Sequence, residues 1–377
     1  MLFGRHQTAL KGLWGIEQPA NECAAGAYIP WSRGIKCQLA GGLKNLAEQK
    51  LRCPKCGAEA TAEDDHTFCV DRAPLHGLFI ARQPLTIMHE CKCGAHMVSE
   101  PKHCQSCGLL WEKRRHVEYS LGDDVAAVTD IGLHHRHNED DVRIAIEKQG
   151  ERSLKIMVVC DGLSSAQLAH EASARAAQAV IDTLTARVAR SFDPVKAMSD
   201  AIARAHESVC TIKYKESDRK GPPGATVVAA ILSGTTAIIG WVGDSRAYVA
   251  SSFGAKLLTR DHTWFNEVLD SGRMTEEEAL RLVNPHILTK CIGPMEVDSS
   301  GEPPAPSVVS VQLPALSWLV LCSDGLWNYD EKLSEFDEVV KASYERSCAL
   351  TFARRLVSFA NSQGGRDNIT VAVACTS

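Results

Sequence analysis

Residues 156–167 read IMVVCDGLSSAQ, and the interpretation of the whole chain starts from this stretch. The apolar run from Ile156 to Cys160 predicts a strand that is covered on both faces. The run ends at Asp161, which is followed by Gly162. Because Asp-Gly is a frequent turn dipeptide, Asp161 is either a turn residue or a ligand for a cation.

Other acidic residues occupy the same kind of position, at or near the end of an apolar strand. They are Asp244 in GWVGDSRAYV, Asp324 in WLVLCSDGLWN, Asp367 in GGRDNITVAVA, and Glu139 and Asp140 in HNEDD. If these carboxylates converge, their repulsion must be relieved by protonation or by cations. Oxygen ligands suit Mg²⁺ or Mn²⁺, and a pair of such ions can activate a water for attack on phosphorus. The predicted chemistry is metal-assisted hydrolysis of a phosphoester.

The pattern after residue 120 predicts sheets that are covered by helices rather than a simple βαβ array. Long helical periodicity covers 166–190, and Asp193-Pro194 is a cap signal for a second helix. Residues 262–283 predict a further helical region, and 225–251 predict an antiparallel meander around a Ser-Gly-Thr turn. The predicted strands are 125–130, 154–160, 225–232, 236–243, 307–313, 317–323 and 368–375.

Residues 120–377 resemble the metal-dependent protein serine/threonine phosphatase family (PPM, type 2C), in its bacterial form. The matching motifs follow in the family's order: TDIG…NEDD, VVCDG, GAT, VGDSRAYV, LLTRDHT, ILTKCIG, LVLCSDGLWN and GGRDNITVAVA. The resemblance implies an α+β fold, a four-layer α-β-β-α sandwich of two antiparallel sheets. It places the metal ions in a cleft at the ends of the sheets.

The resemblance also implies a role for each residue of the central two-metal site. Asp161 would bridge both ions, and Asp324 and Asp367 would complete the protein ligands of the first. The carbonyl of Gly162 and the side chain of Glu139 would serve the second ion, directly or through water.

Two further aspartates have implied roles around that central pair. Asp140 would accept a hydrogen bond from metal-bound water. In the three-metal form of bacterial members, Asp244 together with Asp324 would hold a third ion. Residues 262–293 match the mobile flap of those members, which lies near the substrate.

The chain departs from the family where the substrate phosphate binds. Members usually have an arginine three residues before the Asn of the NED motif, and here that residue is His135, followed by Arg136. Either a bulge turns Arg136 inward or His135 takes the phosphate, because a one-residue shift on a strand reverses the side-chain direction. Animal members have a proposed general-acid histidine directly after the Asp-Gly pair, where this chain has Leu163.

The function implied by the resemblance is that of a protein serine/threonine phosphatase. It would hydrolyse phosphoserine and phosphothreonine by attack of a hydroxide that bridges two Mn or Mg ions. Asp161, Asp324 and Asp367 are all present, as an active member requires. The alternative is a catalytically weak or inactive phosphatase-like adaptor that binds phosphoproteins through the cysteine-rich segment.

The chain has fifteen cysteines, and nine of them fall in the first 107 residues. In a reducing compartment, clustered cysteines favour metal over disulfides. Two knuckles, Cys91-x-Cys93 and Cys104-x-x-Cys107, predict a closed structural zinc site. A second set, Cys53, Cys56, His66 and Cys69, is either another site or a knuckle whose partner lies elsewhere. The expectation is one or two zinc ions.

The expected division is an irregular segment 1–52, a zinc-ribbon-like domain 53–115 and a phosphatase domain 120–377. Residues 1–115 carry 15 Lys+Arg against 11 Asp+Glu, a surplus too small to predict nucleic-acid binding. An apolar content of 45% without a long apolar run predicts a cytoplasmic protein that does not enter membranes. The expected partners are phosphorylated proteins and a cognate kinase, and the expected state is a monomer.

Overall fold

The computed structural model describes most of the chain after residue 115 and short strands before it. The described ranges are 51–52, 59–60, 76–81, 86–90, 96–97, 116–149, 152–188, 193–215, 220–282, 284, 286–294, 303–329, 334–343 and 348–376. All eight predicted zinc ligands lie outside these ranges, as do residues 1–50, so the zinc ribbon stays a prediction.

Sixteen strands and seven helices occur in the described residues. The strands are β1 Leu51–Arg52, β2 Glu59–Ala60, β3 His76–Ile80, β4 Thr86–Glu90, β5 His96–Met97, β6 His116–Ser120, β7 Val125–Asp130, β8 Asp140–Gln149, β9 Arg152–Asp161, β10 Val227–Ser233, β11 Thr236–Val242, β12 Arg246–Ser251, β13 Gly254–Leu257, β14 Ser307–Gln312, β15 Trp318–Cys322 and β16 Ile369–Cys375. The helices are α1 Ala169–Val188, α2 Pro194–Cys210, α3 Trp264–Asp270, α4 Glu276–Leu282, α5 Asp324–Trp327, α6 Ser334–Ser343 and α7 Ala349–Ser362.

The strands form two large antiparallel sheets and one small hairpin. The order β14-β11-β10-β9-β8-β3 makes a six-stranded sheet, and β13-β12-β15-β16-β7-β6-β4-β5 makes an eight-stranded one. Strands β1 and β2 pair only with each other in the described part of the chain.

Three apolar clusters separate four layers. One cluster lies between α1, α2 and the six-stranded sheet, and another between α5, α6, α7 and the eight-stranded sheet. The third cluster lies between the two sheets. Burial of these apolar faces favours the layered arrangement, and the α+β sandwich predicted from the sequence is confirmed.

Strand β9 shows why its sequence is apolar at consecutive positions. Ile156, Val158 and Cys160 face the helices, while Met157 and Val159 face the opposite sheet. All five are fully buried. A strand alternates the direction of its side chains, so a strand with both faces covered needs an unbroken apolar run.

The second helix is set by its cap and by its apolar stripe. The Asp193 side chain accepts hydrogen bonds from the backbone N–H groups of Val195 and Lys196, and Pro194 occupies the first helical position. Both features favour a helix start. The buried residues recur at helical spacing and face β11, where a side chain on Gly240 would clash with Met198.

Two strands that precede residue 115 pair with the main sheets. Strand β3 pairs with β8, and β4 pairs with β6. Ala81, which follows β3, packs against the cluster between the sheets. Strands on the N-terminal side of the expected domain boundary at residue 115 therefore pair with strands on its C-terminal side. None of the helices in the described ranges has the length and apolar character that a bilayer crossing requires.

Candidate active site

Five aspartates lie at strand ends along one edge of the two sheets, and we call them the cleft carboxylates. Asp140 begins β8 and Asp161 ends β9, and these two residues are direct partners in the antiparallel register. Asp324 follows β15, and Asp367 precedes β16, its antiparallel neighbour. Asp244 lies in the turn between β11 and β12. Because the end of one antiparallel strand adjoins the start of the next, residues distant in sequence meet at this edge.

Hydrogen bonds connect the two sheets at the same edge. The Ser323 hydroxyl, which follows β15, donates to Asp140 Oδ2 across 2.8 Å. The negative charges of Asp140, Asp324, Asp244 and Asp367 all raise the pKa of Asp161. The cleft carboxylates therefore belong to one site that both sheets build.

Burial and mutual repulsion dominate the electrostatics of the cleft. Burial, together with the charges of Asp324 and Asp367, raises the pKa of Asp140 to about 7. Burial and the Asp324 charge raise the pKa of Asp244 to about 8. Burial and the neighbouring carboxylates hold the pKa of Asp161 well above its usual range. Crowded carboxylates resist ionisation unless a cation compensates them.

The donor set fits divalent cations that prefer oxygen. Asp140 Oδ1 and Asp324 Oδ1 are buried, and neither has a hydrogen-bond partner among the described residues. Buried polar atoms are normally paired, so two orphaned carboxylate oxygens in one cleft indicate a missing positive partner. As they are placed in the structure, the described residues contain no group of three or more His, Cys, Asp or Glu side chains that could hold a metal ion. The metal ligands are therefore proposed rather than observed.

Two glycines of the cleft leave no room for a side chain. A Cβ on Gly162 would lie 2.4 Å from the carbonyl oxygen of Ala169 and 2.7 Å from that of Glu139. A Cβ on Gly325 would lie 1.9 Å from the carbonyl oxygen of Asn368. The Asp-Gly pairs at 161–162 and 324–325 thus reflect close backbone packing beside the carboxylates.

Residues 131–139, which we call the site loop, join β7 to β8. Asn368 holds this loop by donating to the carbonyls of Ile131 and His137 and by accepting from the backbone N–H of Glu139. Asn368 directly follows Asp367. The site loop and the segment that carries Asp367 therefore form one connected unit.

The two candidate phosphate-binding residues, His135 and Arg136, differ in their position relative to the cleft. His135 Nε2 lies 3.2 Å from Asp367 Oδ1, whereas Arg136 is exposed. The site loop contains turns and irregular backbone rather than a strand. The expectation that a one-residue shift reverses the side chain does not apply there, because it requires a strand. His134 and His137 are exposed.

A cavity of about 560 Å³ opens beside the cleft. Asn138, Glu139 and Asp140 line the side next to the carboxylates. Val117 and Tyr119 of β6 line another part, and His170 of α1 contributes a further wall. The cavity therefore joins the cleft to a strand that precedes the region resembling phosphatases.

Arg246, to which no role was assigned from the sequence, supports the segment at Asp244. Arg246 forms a bidentate ion pair with Asp261, at 2.7 and 3.1 Å, and its guanidinium lies 3.4 Å above the Trp327 ring. Trp327 ends the short helix that begins at Asp324. A DSRAYV motif with an arginine two residues after the aspartate was the available signal, but its partners are distant in sequence.

Cys160 does not provide an alternative nucleophile. It is fully buried, and burial raises the pKa of its thiol well above the usual range. A nucleophilic cysteine needs an accessible, stabilised thiolate. Its position in the cluster between the helices and the six-stranded sheet favours a packing role.

Comparisons with known proteins identify the family of this chain. The family model of protein phosphatase 2C matches residues 132–369. The serine/threonine phosphatase stp of Listeria monocytogenes is 30% identical over 253 residues, which cover 64% of this chain and 92% of that protein. The structure of serine/threonine phosphatase Stp1 from Staphylococcus aureus has a TM-score of 0.54 at 26% identity, covering 67% of this chain and 94% of that one.

A second solved structure is that of the PstP catalytic domain in complex with two manganese ions. Its TM-score is 0.50 at 25% identity, and the match covers 67% of this chain and 96% of that one. Fold and site therefore define a phosphoprotein phosphatase. The family match spans more than half of the chain, and the chain belongs to the protein phosphatase 2C family.

Proposed function

We propose that this chain hydrolyses phosphoserine and phosphothreonine in proteins, using two Mn²⁺ or Mg²⁺ ions held by the cleft carboxylates. The observation that carries the proposal is the set of strand-end aspartates at one edge of the sheets. Four of them, Asp140, Asp161, Asp244 and Asp324, have raised pKa values and no ion-pair partner among the described residues. The relatives are serine/threonine phosphatases by name, and one solved structure contains two manganese ions. These similarities support the same reaction here.

The ligand assignment is the one that the resemblance to the family implies. Asp161, with the carbonyl of Gly162 and the carboxylate of Glu139, would hold one ion, and Asp161 with Asp324 and Asp367 would hold the other. Asp244 would hold a third ion together with Asp324, and Asp140 would orient water beside the pair. When bound, two such ions lower the pKa of a water and offset the negative charge on the phosphoryl group.

Two further tasks in the reaction are binding of the substrate phosphate and delivery of a proton to the leaving oxygen. His135 would bind the phosphate, because its ring nitrogen already points into the cleft at Asp367. In the reaction a water oxygen forms a bond to phosphorus, the bond to the serine oxygen breaks, and inorganic phosphate leaves. Leu163 supplies no proton to that leaving oxygen, so proton delivery falls to water in the cleft.

The test is turnover of a phosphothreonine peptide by the full-length protein in the presence of Mn²⁺. Asp161→Ala should abolish turnover, while Asp200→Ala, which removes a carboxylate on α2 outside the cleft, should leave it unchanged. Undiminished turnover by Asp161→Ala would overturn the proposal. Tight binding of the peptide without turnover by the unaltered protein would favour the adaptor function instead, which no described feature of the cleft supports.

The proposal also includes structural zinc, which the cysteine-rich segment would hold. Cys91, Cys93, Cys104 and Cys107 would hold one zinc ion, and Cys53, Cys56, His66 and Cys69 a second. Four thiolates from two knuckles close a tetrahedral site with no open position for catalysis. Elemental analysis of the purified protein should find one or two zinc atoms per chain, and finding none would remove this part.

The cellular setting is also a proposal. A monomeric protein in the cytoplasm, acting opposite a serine/threonine kinase, fits the reaction and the segment 53–115 that precedes the phosphatase domain 120–377. Size-exclusion chromatography with light scattering tests whether the protein is a monomer. Co-purification with a kinase from the native cell tests whether it interacts with such a partner.

A further inference from the structure

Strand β6 precedes the range that matches the phosphatase family, yet it is built into the phosphatase fold. The family match begins at residue 132. His116, the first residue of β6, pairs in register with Asp130 of β7 on one side and with Met88 of β4 on the other. His116 is therefore the contact between the N-terminal strands and the strand that leads into the site loop.

The His116 ring is held from both sides. Its Nδ1 lies 2.7 Å from Asp130 Oδ2, and its Nε2 lies 3.1 Å from Glu118 Oε1. Arg354 of α7 in turn donates two hydrogen bonds of 2.6 Å to Glu118. Glu118 is almost fully buried, so these contacts fix the orientation of the ring.

A carboxylate oxygen beside each ring nitrogen favours the protonated form of His116. Burial opposes the charged form, but the hydrogen bonds to Asp130 and Glu118 outweigh burial and raise the pKa of His116 to about 9. Both ring nitrogens then donate at neutral pH.

The second oxygen of Asp130 holds the beginning of the site loop. Asp130 Oδ1 accepts from the backbone N–H of Gly132 at 2.8 Å and from the Asn361 side chain at 3.3 Å. Gly132 has a φ of +73°, and a Cβ there would lie 2.2 Å from the carbonyl oxygen of Asp367. The backbone at Gly132 therefore has little freedom to move without moving the Asp367 segment.

The site loop and the Asp367 segment also contact each other directly. The backbone N–H of Leu133 donates to the carbonyl of Gly365 at 2.7 Å. A carboxylate that holds Gly132 and Asn361 at once therefore sets the start of the site loop against the end of α7. His135 and Glu139 lie further along the same loop.

We propose that His116 is a positioning residue, which through Asp130 holds the site loop and thereby places His135 and Glu139 for the reaction. The N-terminal part of the chain thus contributes to the geometry of the active site itself, in addition to any recruitment of partners. This inference rests on the proposed phosphatase function for its kinetic readout. Its structural readout is independent of that function.

Three substitutions separate positioning from general stability. His116→Asn keeps a donor near the position of Nδ1 and so preserves the contact to Asp130. His116→Gln reaches the position of Nε2 and preserves only the contact to Glu118. His116→Leu removes both. Ser120→Ala is the matched control, because it removes a hydrogen bond to Gly122 at the far end of the same strand.

Turnover of a phosphothreonine peptide is measured on the full-length variants at saturating Mn²⁺. We expect kcat/KM to fall about tenfold in His116→Leu and His116→Gln, since misplaced catalytic groups cost one to two orders of magnitude, and to be restored in His116→Asn. The backbone amide of Gly132, observed by NMR in metal-free protein, should shift in the first two variants and return to its original position in His116→Asn. Ser120→Ala should change neither.

Equal turnover and an unshifted Gly132 amide in His116→Leu would overturn the proposal. So would an equal loss in all three His116 variants that follows their unfolding midpoints, because that pattern indicates stability alone. If the unaltered protein itself shows no turnover, the proposed function fails, and the Gly132 amide still decides whether His116 positions the site loop.

Discussion

Two groups of carboxylates meet near the strand ends of the eight-stranded sheet and differ in their partners. In the first, which we call the His116 cluster, Glu118 and Asp130 are matched by His116 and Arg354. Burial opposes ionisation of Glu118, but hydrogen bonds from Arg354 and His116 outweigh it and lower its pKa to about 2. Among the cleft carboxylates, Asp140, Asp161, Asp244 and Asp324 have no ion-pair partner in the described residues, and their pKa values are raised.

The difference separates a structural cluster from a binding site. Removing a carboxylate whose charge is matched within the chain leaves its partner unpaired and destabilises the fold. A group of carboxylates that repel one another destabilises the fold until a ligand supplies the charge. Substitutions in the His116 cluster should therefore lower stability. Substitutions of the cleft carboxylates should leave stability unchanged or raised and should have the larger effect on turnover.

The largest expected effect is on catalysis at the cleft. Asp324→Asn should lower the turnover of a phosphothreonine peptide by about 10³-fold or more, because loss of a metal ligand removes several kcal/mol of transition-state stabilisation. In EDTA the same variant should be as stable as the unaltered protein or more stable, since it removes a repelling charge. Urea unfolding checks the second point, and a marked loss of stability would place Asp324 among structural residues.

The next largest effect is on stability in the His116 cluster. Glu118→Gln should lower the free energy of unfolding by about 3 kcal/mol, because it leaves His116 and Arg354 without their shared partner. Asp244→Asn is the matched substitution in the cleft and should leave the free energy of unfolding unchanged or raised. Both are measured by urea unfolding in EDTA at pH 7. Equal destabilisation by the two variants would remove the distinction between the groups.

The pH dependence of stability sharpens the same comparison. The folded pKa of His116 is raised from 6.5 to about 9, so its contribution is complete below pH 6.5 and is lost as the pH rises through 9. The unfolding free energies of the unaltered protein and His116→Leu should therefore differ by about 2 kcal/mol more at pH 6 than at pH 10, allowing for solvent screening. A difference that does not change over this range would contradict the ion pairing of His116.

The smallest effect concerns substrate binding at the edge of the cleft. His135→Ala should raise KM for the phosphopeptide about tenfold, the effect of losing one hydrogen bond to a charged group. Arg136→Ala, one residue away and exposed, should change KM less than about twofold. Steady-state kinetics at saturating Mn²⁺ measure both. The reverse order would assign the phosphate to Arg136.

Much of the sandwich could be predicted because its central strands are continuous apolar runs in the sequence. Strand β9 and the meander of β10 and β11 consist of apolar runs bounded by Gly, Ser or Asp, and the structure confirms them. The helix with the Asp193 cap is confirmed for the same reason. Strand β8 was missed because DDVRIAIEKQ has charged residues at both ends, some of which the fold buries.

The aspartates of the cleft could be predicted from the sequence, whereas the His116 cluster next to the site loop could not. The aspartates of the cleft each follow or precede an apolar strand, which is a local signal. The His116 cluster has none, because Glu118 and Arg354 are 236 residues apart and meet only when α7 packs on the eight-stranded sheet. Residues 116–119 fall between the two expected domains, 53–115 and 120–377, yet they belong to a strand that is paired on both sides.

Direct binding of Mn²⁺ by the full-length protein tests the central claim that the cleft carboxylates are uncompensated because they hold cations. Isothermal titration calorimetry of the metal-free protein should show at least two bound Mn²⁺ ions. Binding should be lost or reduced to a single weak site in Asp161→Asn and retained in Glu118→Gln. Unchanged Mn²⁺ binding by Asp161→Asn would contradict the claim.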